Sequence, residues 1–337
     1  MVIPKCKTKY LIGKRCFIKD SSRVFLKLKK QEAPMAENQF GEGCAFIEGK
    51  YFPIAEARIP IIDAGFNRSD LTYDVVAVWN GRFFRLDDHL SRFQKGYQRL
   101  RLNPGLSVAE MRAILFECVR RSGLRNAYVE MILSRGIDED GSRDPRRFSN
   151  RFYAFAIPYL WIVKPEIQAA GIHLVVAEKT IRIPTNAVDP TVKNFQWGDL
   201  VRGIYEAYDR GAFTAVLPDA EGNITEGPGF NIFVYYENVL LTPASGVLEG
   251  ITRQTVFDLA EEQEIPTRQT MFNAAVLENA AEIFLTSTAG GVMPVTTLNG
   301  KPVGDGRPGK ITTLIQKRYW EAHDEDRWTT PVDYIVD

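Results

Sequence analysis

The segment YDVVAVWNGRFFR, Tyr73 to Arg85, constrains the fold more than any other. Asn-Gly tolerates the positive φ angles of a two-residue hairpin turn, whose twist matches that of the strands it joins. Apolar runs flank Asn80-Gly81 on both sides, so the segment predicts two antiparallel strands. CAFIEGKYFP reads the same way about Glu48-Gly49. Immediately after the second hairpin the period changes. Leu86, Leu90, Phe93, Tyr97 and Leu100 recur every three or four residues and predict an amphipathic helix. A second helix is expected through VAEMRAILFECVRRSG, then strands at NAYVEMILSR and RFYAFAIPYL. The polar, aperiodic GIDEDGSRDPRRFSN between those strands is expected to be a mobile surface loop.

A linker near Pro158 to Pro165 leads into strands at IHLVVAEK, FTAVLPD, GFNIFVYY and EIFLTST, and helices at WGDLVRGIYEAYDRG, TRQTVFDLAEEQE and GKITTLIQKRYWEAHDE. The expected organisation is a basic extension (1–42), a small α/β domain (43–157), a linker (158–166) and a larger α/β domain (167–337), with a cleft between the domains. No internal repeat is evident.

Composition excludes some function classes. With 42 basic and 42 acidic residues there is no global field to draw in nucleic acid or anionic lipid. The first 30 residues are the exception: eight Lys and two Arg against Asp20 give a local charge of +9. That segment reads as a basic tail or, because it is acid-poor, as an organellar transit peptide, and Met35-Ala36 offers a second start. Cys6, Cys16, Cys44 and Cys118 form no CxxC pair, so no zinc site or disulfide framework is expected and a reducing, cytoplasmic setting fits. His89, His173 and His323 are too scattered for a metal cluster. No apolar run is long enough to span a membrane.

One lysine stands apart. In DPTVKNFQWGD, Lys193 lies among apolar and small residues with no acidic residue closer than Asp189. An amine with a lowered pKa is a nucleophile near neutral pH and suits a Schiff base with an aldehyde cofactor. Four other stretches can serve such a cofactor. ITEGPGFNIF places Glu226 before a glycine-rich bend. LEGITRQTV puts Ile251 and Thr252 at a helix start, where free N–H groups favour a phosphate. FLTSTAGGV supplies Ser287, Thr288 and Gly290 after a strand, and DDHLSR puts Arg92 on a helix face. Singly these are a turn carboxylate, a helix cap, a loop and a solvated arginine. Their conjunction raises the functional reading.

The ordered set Arg92, Lys193, Glu226, Ile251-Thr252 and Thr288, in DDHLSR, VKNFQWGD, TEGPGFN, LEGITR and TSTAGG, resembles the fold-type IV pyridoxal-phosphate enzymes, the branched-chain and D-amino-acid aminotransferase superfamily. The resemblance runs from about Gly43 to Tyr334. It implies a D-amino-acid-aminotransferase-like two-domain fold with pyridoxal 5′-phosphate in the cleft, and a homodimer. It also implies Lys193 as the catalytic Schiff-base lysine, Glu226 on the pyridine nitrogen, and phosphate held by Arg92, Ile251, Thr252 and Thr288.

GFNRSDLTYDVVAVWNGRFFRLDDHL is similar to the (R)-selective amine transaminases, which take an amine and a keto acid. NAYVEMILSRG puts Tyr128 and Glu130 where branched-chain enzymes show Tyr-x-Arg, and a glutamate there disfavours carboxylate donors. The keto acid still needs a cation; Arg143 is the candidate, with Arg135, Arg146 and Arg147 competing. Tyr73 and Val75, on one strand face, match pocket positions, and Trp197 and Ala289 are also expected there. Two residues depart from the amine-type pattern: Arg68 stands in place of histidine and is expected to border the pocket with a cation, and Pro228 replaces serine, removing a hydroxyl and an N–H beside Glu226. An aminotransferase of D- or branched-chain amino acids is the second reading, and a lyase of the aminodeoxychorismate type the third. A non-catalytic protein binding nucleic acid or membrane through its basic end is the reading from a different class; its binding would fall steeply with salt.

Overall fold

The computed structural model describes residues 38–138 and 140–335. The basic N-terminal segment, Cys6, Cys16 and the Met35-Ala36 pair lie outside the described residues. β1 (Cys44–Ile47) and β2 (Lys50–Pro53) form the first hairpin, with Glu48 and Gly49 at φ 50° and 77°. After the short α1 (Ala64–Arg68), β3 (Leu71–Trp79) and β4 (Arg82–Phe84) form the second, with Asn80 and Gly81 at φ 50° and 78°. Both turns take the left-handed angles expected of their sequences. α2 (Leu86–Arg99) and α3 (Val108–Ser122) follow. α3 opens on a Ser107–Glu110 capping box and stops at the left-handed Gly123.

β5 (Ala127–Ile137) and β6 (Ser149–Pro158) run further than their sequences suggest, so the polar loop between them is shorter. A register shift between Ser134 and Ile137, with Gly136 at φ 77°, lets β5 continue past Arg135. A Cβ at Gly136 would lie 1.8 Å from the Ser149 carbonyl oxygen, so only glycine fits.

The remaining elements are α4 (Pro165–Gln168), β7 (Ile172–Val176), α5 (Gly198–Asp209), β8 (Thr214–Val216), β9 (Asn231–Tyr236), β10 (Val239–Thr242), α6 (Ile251–Glu262), β11 (Thr267–Gln269), α7 (Ala274–Glu278), β12 (Glu282–Ser287), β13 (Gly291–Leu298), β14 (Lys301–Pro302), α8 (Lys310–Ala322) and β15 (Thr329–Pro331). They complete two sheets, ordered β15-β4-β3-β5-β6-β1-β2 and β11-β10-β9-β12-β13-β7-β8, with β14 on β13. The first sheet is antiparallel throughout. The second is parallel at β10–β11, β13–β7 and β7–β8. The chain's last strand returns to the first sheet, on β4.

β3 is buried on both faces, and its period of two divides the work. Val76 and Val78, with Val129, Met131 and Leu133 of β5, pack in the core formed with Leu90 and Phe93 of α2 and Leu115 of α3. Leu71, Tyr73 and Val75 face the other way and pack with Tyr128 and Ile132. In the second sheet Phe233, Phe284 and Val292 pack with Val256 of α6 and Ile315 of α8, while Ile232, Val234, Ile283 and Leu285 fill a core with Leu277 of α7.

Candidate active site

A cavity of about 350 Å³ is walled by β3 and β5 of the first sheet, and by the segments before β9, after β12 and at the start of α6. Arg92, Lys193, Glu226, Ile251, Thr252 and Thr288 all line it. Tyr73, Val75, Tyr128, Trp197 and Ala289 line it as well. Glu130 stands beside the wall, where its Oε2 accepts a hydrogen bond from the Tyr128 hydroxyl at 3.1 Å. Arg68 and Arg143 are exposed and line no part of this cavity; the Arg68 guanidinium sits 5.5 Å from the Phe148 ring centroid.

Lys193 belongs to the segment between β7 and α5, yet it is fastened to β3. Its carbonyl accepts hydrogen bonds from the Tyr73 N–H at 3.1 Å and the Thr72 hydroxyl at 2.9 Å. A Cβ on Gly96 of α2 would come within 2.8 Å of that hydroxyl, so the helix leaves room for it with a glycine. Lys193 Nζ lies 4.5 Å from the Tyr73 ring centroid, and the Phe195 ring packs against the same tyrosine at 4.6 Å. No carboxylate lies within ion-pair distance of Nζ among the described residues.

At the opposite end, Arg92 is held from both sides. Asp74, fully buried on the helix-facing side of β3, accepts from Arg92 Nε and Nη2, each at 2.8 Å, while Arg92 Nη1 donates to the Glu249 carbonyl at 3.0 Å. A carboxylate only accepts, so His89 Nδ1, 2.8 Å from Asp74, carries the proton. Burial alone would raise the Asp74 carboxyl; the Arg92 charge and the bonds from His89 and Arg92 overcome it and hold the carboxyl well below its ordinary range. Burial lowers the His89 pKa, leaving the ring neutral. Glu249 immediately precedes Gly250, the N-cap of α6, so the guanidinium and the helix start converge.

Glu226 is buried. Its Oε1 accepts from Arg182 Nε and Nη2 at 3.3 and 3.1 Å, and its Oε2 from the Leu248 N–H at 2.9 Å and Asn231 Nδ2 at 3.4 Å. Burial pushes this carboxyl up from its ordinary value, against the Arg182 charge and the Leu248 amide. The turn after β12 is fixed from outside: the Tyr159 hydroxyl donates to the Thr288 carbonyl at 2.6 Å and the Ile162 N–H to the Ala289 carbonyl at 2.7 Å.

Glu130, 7% exposed, faces Val75 across the β3–β5 ladder. Burial pushes its pKa up from 4.5 to about 7, against the Tyr128 hydroxyl bond and the Lys193 charge. A raised folded value means that its stabilising state is fully present below pH 4.5 and is lost as pH rises through 7. The cofactor-free Glu130→Gln variant is therefore expected to match the parent in stability at pH 4.5 and to exceed it by up to ~3 kcal/mol above pH 7. Urea unfolding at pH 4.5 and 8 checks this, and equal stability at pH 8 would mean a solvated carboxylate.

The family profile for amino-transferase class IV matches residues 71–298. The chain is a class IV aminotransferase. A putative branched-chain-amino-acid aminotransferase of Methanocaldococcus jannaschii is 28% identical to it over 277 residues, 81% of this chain and 94% of that one. A D-alanine aminotransferase of Bacillus licheniformis is 29% identical over 273 residues, covering 80% and 93%. Among solved structures, a T.th. branched-chain amino acid aminotransferase with pyridoxamine 5′-phosphate matches with a TM-score of 0.81 at 25% identity, over 87% of this chain and 99% of that one. The branched-chain aminotransferase from Thermoproteus uzoniensis with norvaline matches at 0.79 and 26%, over 86% and 99%. The fold is fold type IV, and the cofactor of this aminotransferase is pyridoxal 5′-phosphate.

The residues present fit that cofactor. α6 of the aminotransferase starts without a side-chain cap, leaving first-turn N–H groups for a phosphate. The Thr286 hydroxyl, buried at the cavity wall, has no hydrogen-bond partner among the described residues. A Cβ on Gly250 would lie 2.1 Å from Asn231 Oδ1, so the helix start packs against Asn231 only with a glycine there.

Residues at the site that escaped the sequence reading include Asp74, Arg182, Asp199, Asn231 and Thr286. Only Asp74 carried a usable signal, a lone carboxylate in the apolar strand LTYDVVAVW that needs a buried partner.

Proposed function

We propose that this aminotransferase moves an amino group from a primary amine of (R) configuration to a keto acid such as pyruvate, in two half-reactions. The observation that carries the reading is the charge at the donor wall. Glu130 and Tyr128 stand there, and the arginines lining the cavity are otherwise engaged: Arg92 with Asp74, and Arg182 with Glu226 and Asp199. A donor bearing its own carboxylate would meet Glu130, which becomes a like charge as pH rises through about 7, and find no unengaged arginine among the described lining residues. The (R) preference rests on the resemblance of the segment around Tyr73.

Bound pyridoxal phosphate supplies an aldehyde carbon for the amino group and a ring that withdraws electrons. In this reading Lys193 holds the cofactor between turnovers. As a free amine, its Nζ takes the proton from the donor's reacting carbon. Arg92, Ile251, Thr252 and Thr288 grip the phosphate, and Glu226 holds the ring nitrogen. Tyr73, Val75, Trp197 and Ala289 shape the donor pocket and exclude water, while Arg143 and Arg68 serve the acceptor carboxylate from outside the cavity wall. The chain acts as two domains (43–157 and 167–337) and as a homodimer. Ile61, Ile62 and Phe66, exposed around α1, supply apolar surface for the second copy, and a single-chain mass by light scattering would remove that element.

The second reading, an aminotransferase of D- or branched-chain amino acids, is favoured by the relatives, which carry those names. One assay separates the two: ketone release from (R)- and, separately, (S)-1-phenylethylamine with pyruvate, beside D-alanine and L-leucine with suitable keto acids. Ketone from the (R) amine alone is the expected result. Silence with both amines and turnover of an amino acid would replace the first reading by the second.

A further inference from the structure

Arg182, Asp199 and Glu226 form one buried chain of charges at the cofactor end of the cavity. Arg182 Nη1 donates to Asp199 Oδ2 at 2.5 Å, while its Nε and Nη2 both serve Glu226 Oε1. No side chain of the three is more than 12% exposed. Their backbones are pinned to the same stretch: the Arg182 N–H donates to the Pro218 carbonyl at 2.8 Å and the Leu217 N–H to the Glu226 carbonyl at 3.0 Å. The Ile183 N–H adds a bond to Asp199 Oδ2 at 2.7 Å. Each nitrogen of the Arg182 fork thus donates to one of the two carboxylates.

With both carboxylates ionised, one arginine leaves the group with a single net negative charge. Holding that charge out of water is costly unless a further cation faces it. A protonated ring nitrogen on the cofactor is such a cation. The Arg182 charge touches Glu226 directly, so it would stabilise the carboxylate more than it would repel a cation that met Glu226 without meeting Arg182. Its presence therefore favours the shared proton on the nitrogen rather than on Glu226.

We propose that Arg182, clamped by Asp199, is a positioning residue that keeps the ring nitrogen of bound cofactor protonated by holding Glu226 ionised. This rests on the reading of Glu226 as the ring-nitrogen partner.

The test is the ¹⁵N resonance of ring-labelled pyridoxal phosphate in the loaded protein, which reports protonation without turnover. The parent and Arg182→Lys are expected to show a protonated nitrogen. Arg182→Gln, which keeps a donor and most of the volume but no charge, is expected to show a neutral one. A protonated nitrogen in Arg182→Gln, or a neutral one in Arg182→Lys, overturns the proposal. Asp199→Asn disturbs the same network while leaving the cation, so protonation persists there; its loss means that packing and not charge matters, and this arm decides should Arg182→Gln fail to fold. Glu226→Gln separates the two ideas: a nitrogen still protonated in that variant removes the Glu226 reading itself.

Discussion

Replacing Lys193 by alanine leaves an aminotransferase that folds and binds pyridoxal phosphate but turns over at least about 10³-fold more slowly, the scale on which a positioned proton-transfer group acts. The fold should survive because the segment around Lys193 is held by its backbone. The two bonds from Thr72 and Tyr73 reach its carbonyl and not its amine, and the side chain gives up little beyond its contact with the Tyr73 ring. Cofactor binding should survive because Arg92, the α6 start and Glu226 remain. The measurement is single-turnover amino transfer from the best donor, with far-UV circular dichroism of the variant alongside. Turnover at the parent rate by a well-folded variant would end the assignment. A small added amine that restores part of the rate would show that only the base was lost.

Asp74→Asn is expected to destabilise the cofactor-free protein by about 3 kcal/mol, the lower end for breaking a buried pair on one side. Asparagine fits the space but leaves the Arg92 charge facing only neutral oxygens, its own amide oxygen and the Glu249 carbonyl. Added pyridoxal phosphate should shrink the loss, since the phosphate then faces Arg92; a loss as large with cofactor as without it would mean that the two never meet. The pH dependence carries its own sign. The native Asp74 pKa is depressed from 3.8, so its contribution is present above pH 3.8 and fades as pH falls toward the native value. Parent and variant melting curves should therefore converge in acid and differ most near neutrality.

The hairpins and long helices were legible because each rests on a local rule. Asn80-Gly81 must turn, and Leu86 to Leu100 must be amphipathic, whatever surrounds them. β13 was not legible: Pro294 sits inside it, paired opposite Phe284, and Gly290-Gly291 at its start reads as loop. Only the neighbouring β12 and β7 make a strand of that sequence. β11 and β15 are short and take their identity from partners far along the chain, β10 and β4.

The site divides in the same way. The residues proposed to meet the cofactor, Arg92, Lys193, Glu226, Ile251, Thr252 and Thr288, lie in short recognisable stretches and do come to one cavity. Side chains that hold those residues in place carry no such signature. Arg182 lies in TIRIP, where nothing local says that it will reach both Asp199 and Glu226. The placement of Arg68 and Arg143 outside the wall was equally invisible, because strand bulges and loop lengths decide it.

The fastening of the Lys193 carbonyl to Thr72 and Tyr73 sets the frame in which the amine is registered. Tyr73 and Val75 of the same strand line the cavity, so the strand that walls the proposed donor pocket is the ruler against which the lysine is set. A displacement of that strand carries wall and amine together, and their mutual spacing is conserved while the distance to the phosphate cradle takes up the change. Substitutions that reshape the cradle should therefore be tolerated in donor selectivity, whereas a change in the backbone of β3 alters which donor is accepted and how its proton is reached in one stroke.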